Sequence, residues 1–393
     1  MASTDYDLTV NGDVWDARNG LRSDHWVAIS DGSIAAICPE RPGTADREVD
    51  VGFVTPGLID MHIHLVWDGS GDPVATLRAE SKQETTLRAV HNARKQIRGG
   101  VTTVRDVGSV ADIAISVAHA VRDDWVEGPR TYASGRTVII SGGHDPFWGL
   151  ESDGPEACRA AVRQLRSAGA DLIKTSATGG VYGQAVGEAP GASELSLAEL
   201  EAIVDEAQRF DLDVAAHAVG REGIENAIEA GVNTIEHGNL MDEASIERLV
   251  TENLAYDATL FVYGRIAEGG NGIPEYARRN ANEVYEQHAA AFRRALDCGC
   301  RILAGSDAGS PGVPHAGLHL ELERMVAEGM SDEAAMSAAT LAGATELDRP
   351  ELGVVEVDTP ADLVCFDDDP TDDVAITGNP TAVVADGKLV GGV

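Results

Sequence analysis

Over the first 55 residues, apolar and polar positions alternate in short runs, as in "YDLTVNGDVWD", "DHWVAISDGSIAAICPE" and "REVDVGFV". A period of two marks a strand with one buried face. The runs are separated by turn formers, Asn11-Gly12 and Asp31-Gly32, which predicts a small antiparallel sheet. The closing stretch, "GVVEVDTPADLVCFD" and "TAVVADGKLVGGV", has the same texture. Residues 1–56 and 347–393 are therefore expected to form one composite β domain, a small β-sandwich, around a central insertion.

Between residues 57 and 346 the pattern changes. Apolar strand candidates recur at "LIDMHIH", "VTTVRD", "RTYASGR", "DLIKTS", "DVAAHA", "NTIEHG", "LAYDATL" and "RILAGSD". Between them lie segments such as Glu80 to Ile97, "EACRAAVRQLRSAG" and "LAELEAIVDEAQRF", whose apolar residues fall three and four apart, as on one buried helix face. Eight strand–helix units spanning roughly 250 to 290 residues are the size of a (β/α)8 barrel. The expected fold is α/β, a TIM barrel over 57–346 flanked by the β domain.

Composition supports a folded chain and narrows its partners. With 43% hydrophobic residues in 393 a large core can be buried, and no apolar run reaches the roughly 18 residues of a membrane span. The start, "MASTDYDLTV", lacks a basic segment followed by an apolar one, so no secretory signal is expected. The five cysteines (Cys38, Cys158, Cys298, Cys300 and Cys365) are odd in number and irregularly spaced, which fits reduced thiols in a cytoplasm. Lysine plus arginine number 30 against 65 acidic residues, a net charge of −35. Nucleic acid and anionic membranes repel such a surface, whereas high salt screens its self-repulsion, so a salt-adapted protein is expected.

Against that background Lys174 stands out, because Lys82, Lys95, Lys174 and Lys388 are the chain's lysines. It belongs to a set of polar residues at strand ends: His62 and His64 at the first, Lys174 at the fourth, His217 at the fifth, His237 at the sixth and Asp307 at the eighth. In a barrel these ends converge on one face. His62 and His64, two apart on a strand, point the same way and can grip one ion together. A lysine buried beside cations prefers to be neutral. A neutral amine can add carbon dioxide to give a carbamate, whose two oxygens suit a bridge between two metals; otherwise Lys174 is a salt-bridged lysine near a strand end.

The motifs "VTPGLIDMHIHL", "GGVTTVRDVG", "SGGHDPF", "DLIKTSATGG", "AAHAVGREGIENAIEAGVNTIEHGNLMD", "AGSDAGSPGVPHAGLHLELERMV" and "AATLAGATEL" together resemble the amidohydrolase superfamily, in its imidazolonepropionase-like and Xaa-Pro dipeptidase branch. The resemblance implies the barrel with its β-sandwich and two divalent cations, zinc first among them. His62, His64, Lys174 and Asp307 would hold one, and carboxylated Lys174, His217 and His237 the other. It further implies a water acidified between the cations, with Asp307 moving its proton to the departing amine, and homo-oligomeric assembly.

The expected substrate is a small amide, a dipeptide of the Xaa-Pro type or an N-acyl amino acid; the alternatives are cyclic-amide hydrolysis and a non-catalytic oligomeric scaffold. His144 resembles the family's substrate-facing histidine, or else caps its Gly-Gly-His loop. Tyr182 and Tyr263 either recognise substrate or pack. Many peptidase-like relatives carry histidine or tyrosine two places after the fifth-strand histidine, where this chain has Val219. A substrate carboxylate would then need another partner, such as Arg221 or Tyr263. Arg105 and Asp106, closing the second strand, either serve the site or pair with each other.

Overall fold

The structure, a computed structural model, describes residues 5–183 and 189–392. Four strands open the chain: β1 (Tyr6–Asp16), β2 (Gly20–Ser30), β3 (Ser33–Cys38) and β4 (Ala45–Pro56). The barrel region follows with β5 (Leu58–Ile63), β6 (Val101–Asp106), β7 (Arg130–Ala133), β8 (Thr137–Ile139), β9 (Gly149–Glu151), β10 (Leu172–Ser176), β11 (Asp213–Ala218), β12 (Thr234–His237), β13 (Ala255–Asp257) and β14 (Arg301–Leu303). β15 (Leu363–Phe366), β16 (Ala382–Ala385) and β17 (Lys388–Gly392) close it.

Both ends of the chain enter one sheet, ordered β17-β16-β15-β4-β1-β2-β3. Its inward residues, including Leu8, Val10, Val27, Ile29, Val54, Leu363 and Val384, form a core distinct from that of the barrel. The antiparallel expectation for the N-terminal strands is corrected at one place: β4 runs parallel to β1. The chain leaves β3 at the sheet edge and crosses to the far side of β1. There β4 offers its free edge to β15, which pairs with it antiparallel, and this joins the two ends of the chain.

The barrel strands are parallel throughout, β5-β6-β7 and β8-β10-β11-β12-β13-β14. β7 and β8 are two halves of the third strand, interrupted at residues 134–136. The eighth strand closes on the first through Met61 N–H to Ala304 O at 2.9 Å and Asp307 N–H to His62 O at 2.7 Å. Helices α1 (Pro73–Ala79), α2 (Lys82–Arg98), α3 (Ile113–Arg122), α4 (Pro155–Ala168), α5 (Leu197–Gln208), α6 (Arg221–Ala230), α7 (Glu243–Thr251), α8 (Leu260–Glu268), α9 (Glu275–Asp297) and α10 (Leu318–Ala327) surround it. Local signals set their bounds. Ser81 and Glu84 cap each other reciprocally at the start of α2, and Ser196 and Glu199 do so at α5, satisfying orphan N–H groups. On α4, Cys158, Ala161, Val162 and Leu165 are buried; this is the helical stripe in the sequence, and full burial of a Val or Leu side chain contributes roughly 1.5–3 kcal/mol. Among the described residues, no helix is long and apolar enough to cross a membrane.

Candidate active site

The C-terminal ends of the barrel strands bring the expected residues together. His62, His64, His144, Lys174, His217, His237 and Asp307 all line one cavity, about 50 Å³ in volume. The backbone is bent to place two of them: His237 has φ 71° and Asp307 φ 57°. Non-glycine residues rarely adopt this left-handed region, and where they do the surroundings must hold them. Glycines make room beside two others. A Cβ on Gly180 would lie 2.4 Å from His144 Cε1, and one on Gly108 would lie 3.0 Å from the His64 ring.

The rings pack as a chain across the floor. The His144 and His217 rings stack at 4.1 Å, with His217 to His237 at 4.6 Å and His237 to His62 at 4.9 Å. His64 Nε2 is 3.3 Å and His62 Nε2 4.0 Å from Asp307 Oδ1. Burial, reinforced by Lys174, lowers the His62 pKa to about 4. Burial and then neighbouring histidines hold His217 and His237 well below the usual range. These are neutral imidazoles with lone pairs to offer. His64 differs: burial opposes its charge, but contact with Asp307 outweighs that and raises its pKa. Burial works against the Asp307 carboxylate too, yet His62 and His64 keep it below the ordinary range. Burial also lowers the pKa of Lys174. Its Nζ and the Nε2 of His217 are buried and have no hydrogen-bond partner among the described residues.

This donor set fits a divalent cation. The ligand atoms of His62, His237 and Asp307 all lie within 4.8 Å of one another, and neutral imidazoles with a carboxylate are donors that zinc and its neighbours accept. The orphaned Lys174 amine and His217 nitrogen are atoms for which burial without a partner is costly.

A supporting layer orients the rings, and most of it is absent from the motif reading. His62 Nδ1 lies 2.7 Å from Glu236 Oε2, and Glu236 Oε1 receives Arg105 Nη2 at 2.7 Å and the Thr234 hydroxyl. His64 Nδ1 is 3.0 Å from Gly108 O, and His237 Nδ1 is 2.7 Å from Thr259 Oγ1. Each contact turns an Nε2 toward the cavity. Glu236 could have been suspected, since a carboxylate inside the apolar strand "NTIEHG" requires a buried partner. Arg105 and Asp106 do not pair with each other, because successive strand residues face opposite ways. Arg105 joins Glu236 inside the barrel, and Asp106 accepts Leu65 N–H at 2.7 Å.

The expected substrate residues divide. Tyr182 and Tyr263 line the cavity with Trp67, Val181, Val262 and Ile266. The Tyr182 hydroxyl is committed, donating to Asp72 Oδ1 at 2.5 Å and accepting Val74 N–H at 3.2 Å, so Tyr182 presents its ring. Burial holds the Tyr263 hydroxyl protonated. Arg221 does not line this cavity; it opens α6, 58% exposed, and pairs with Asp242. Val219 is fully buried.

A model of the amidohydrolase family matches residues 53–390. An ochratoxinase from Aspergillus niger is 30% identical over 85% of this chain and 74% of its own length. Among solved structures, a Xaa-Pro dipeptidase with methionine bound in its active site superposes with a TM-score of 0.90 at 29% identity, over 97% of this chain and 99% of that one. A prolidase complexed with N-methylphosphonate-L-proline gives 0.88 at 27% identity, over 97% and 98%.

Proposed function

Because the chain belongs to the amidohydrolase family and is a hydrolase of carbon–nitrogen bonds, we propose that it cleaves a small amide at a centre of two divalent cations. His62, His64, Lys174 and Asp307 hold one cation in this reading, and Lys174 with His217 and His237 holds the other, Lys174 being carboxylated. The observation that carries it is a pair of buried atoms, Lys174 Nζ and His217 Nε2, that have no hydrogen-bond partner among the described residues and lie beside neutral histidines. Burial lowers the Lys174 pKa toward the neutral amine, the form that adds carbon dioxide. When bound, the cations acidify a water and polarise the scissile carbonyl, a contribution of several kcal/mol.

The chain's own groups do the rest. Asp307, steadied by the Ser310 hydroxyl at 2.6 Å, takes the water's proton and returns it to the departing nitrogen. His144, stacked on His217, faces the substrate carbonyl. Dipeptides and N-acyl amino acids present such an amide, and a cyclic amide presents it within a ring, whose opening frees no separate amine. The test is metal content beside a Lys174→Ala variant: about two ions per chain, falling to one or none in the variant, support the centre. A folded protein that has never met chelator and holds no metal overturns it.

A further inference from the structure

The charges around the cavity bear on which amides it admits. The lining carries two carboxylates, Asp145 and Asp307, and among the described residues Lys174 is its one lysine or arginine. Lys174 lies on the floor among the histidines, where its carbamate charge and that of Asp307 would be taken up by the two cations. The guanidinium groups nearest in sequence face elsewhere. Arg221 pairs with Asp242 on the surface, and Arg265, on the same helix as Val262 and Ile266, donates to Gly269 O at 2.9 Å. His144 has Asp145 Oδ2 3.3 Å from its Nε2.

Apart from Ser310, whose hydroxyl donates to Asp307 at 2.6 Å, the remaining wall is apolar or aromatic and includes Trp67, Val181, Tyr182, Val262, Tyr263 and Ile266. The Tyr182 hydroxyl is already committed, and Tyr263 supplies a dipole rather than a charge. Away from the cations of the floor, a carboxylate on this wall loses its hydration, meets no lysine or arginine among the described lining residues and faces Asp145. Unpaired burial of charge and like-charge contact each cost several kcal/mol. An alkyl group in the same place gains contact instead.

We propose that this cavity selects amides that carry an apolar group and no carboxylate. This rests on the amide-hydrolysis reading and narrows it, disfavouring the N-acyl amino acids and dipeptides expected from the sequence. The reaction stays balanced: the C–N bond breaks, the water oxygen forms the new C–O bond, and the water proton ends on the freed amine.

N-acetylisoamylamine and N-acetyl-L-leucine differ only in the carboxylate and make the test. With the metal-loaded full chain at one salt concentration, kcat/KM is expected to favour the neutral amide by about tenfold or more, which corresponds to about 1.4 kcal/mol. In Asp145→Asn the ratio falls several-fold toward parity, whereas a merely structural role for Asp145 would lower both rates and leave the ratio alone. Equal rates, or preference for the acid, overturn the proposal. The corresponding methanesulfonamides, which resist hydrolysis, read the same preference by calorimetry. If the neutral sulfonamide binds about tenfold tighter and neither amide is cleaved, the charge selection stands and the amide-hydrolysis reading falls; equal binding overturns the selection.

Discussion

Glu236→Gln separates orientation from ligation at the candidate metal centre. The carboxylate accepts three hydrogen bonds on two oxygens, from His62 at 2.7 Å, Arg105 at 2.7 Å and the Thr234 hydroxyl. A carboxamide of the same shape has one acceptor oxygen. If that oxygen faces Arg105 and Thr234, the NH2 group meets His62 Nδ1 and forces the ring into the tautomer with its proton on Nε2, the atom turned toward Asp307. If it is flipped, the NH2 group meets the Arg105 guanidinium. Either arrangement also deprives Arg105, 3% exposed, of its closest carboxylate charge, its other contact in the ion-pair network being Asp257 at 3.6 Å. Loss of a partner that orients a ligating histidine typically costs 10–100-fold in metal affinity, or about 1.4 to 2.7 kcal/mol. Breaking a buried pair costs about 3–5 kcal/mol in stability. Competition against a chromophoric chelator reads the first and denaturant unfolding the second, with near-ultraviolet circular dichroism confirming the fold. Asp257→Asn is the contrast: the Asp257 oxygens make no hydrogen bond among the described residues, so the change leaves the Glu236–His62 contact in place and metal affinity should hold. Unchanged affinity in Glu236→Gln would refute the orienting role.

Two further outcomes follow from groups outside the site. Glu321 accepts the N–H groups of Leu260 and Phe261 at 2.8 and 2.7 Å, and burial pushes its pKa from 4.5 to about 8 despite them. A carboxyl raised in the folded state binds its proton more tightly there, so its stabilisation is complete below the unfolded value near 4.5, declines as pH rises toward 8, and is absent above. Glu321→Gln should flatten this part of the urea-midpoint profile, and an unaltered slope between those limits would count against it. The net charge of −35 should make the melting temperature climb steeply between about 0.1 and 1 M KCl, as the screening length shrinks from about 10 to about 3 Å; a protein equally stable at both would not be salt-adapted.

What could be read in advance depended on whether a residue's role is set by its own strand. His62, Lys174, His217, His237 and Asp307 follow apolar runs, and in a barrel every such end faces the same mouth, so their convergence required no knowledge of neighbours. Arg221 was misjudged because its nearness in sequence to His217 says nothing of direction: it lies past the strand end as the first residue of α6, where an exposed side chain pairs with Asp242. The parallel course of β4 was hidden for a related reason, since it bypasses β2 and β3 to pair with β1, and its second partner β15 lies some 300 residues later. Arg105 and Glu236 show the limit most sharply. Each is a buried charge within a largely apolar strand, and each therefore demands a partner, but which strands meet inside the barrel depends on their stagger, which no local pattern encodes. The demand itself is legible: "VTTVRD" offers one buried cation, while "NTIEHG" and "LAYDATL" offer buried acids. Read together, they predict a charged network under the metal face, in which the orientation of His62 depends on a strand far from its own.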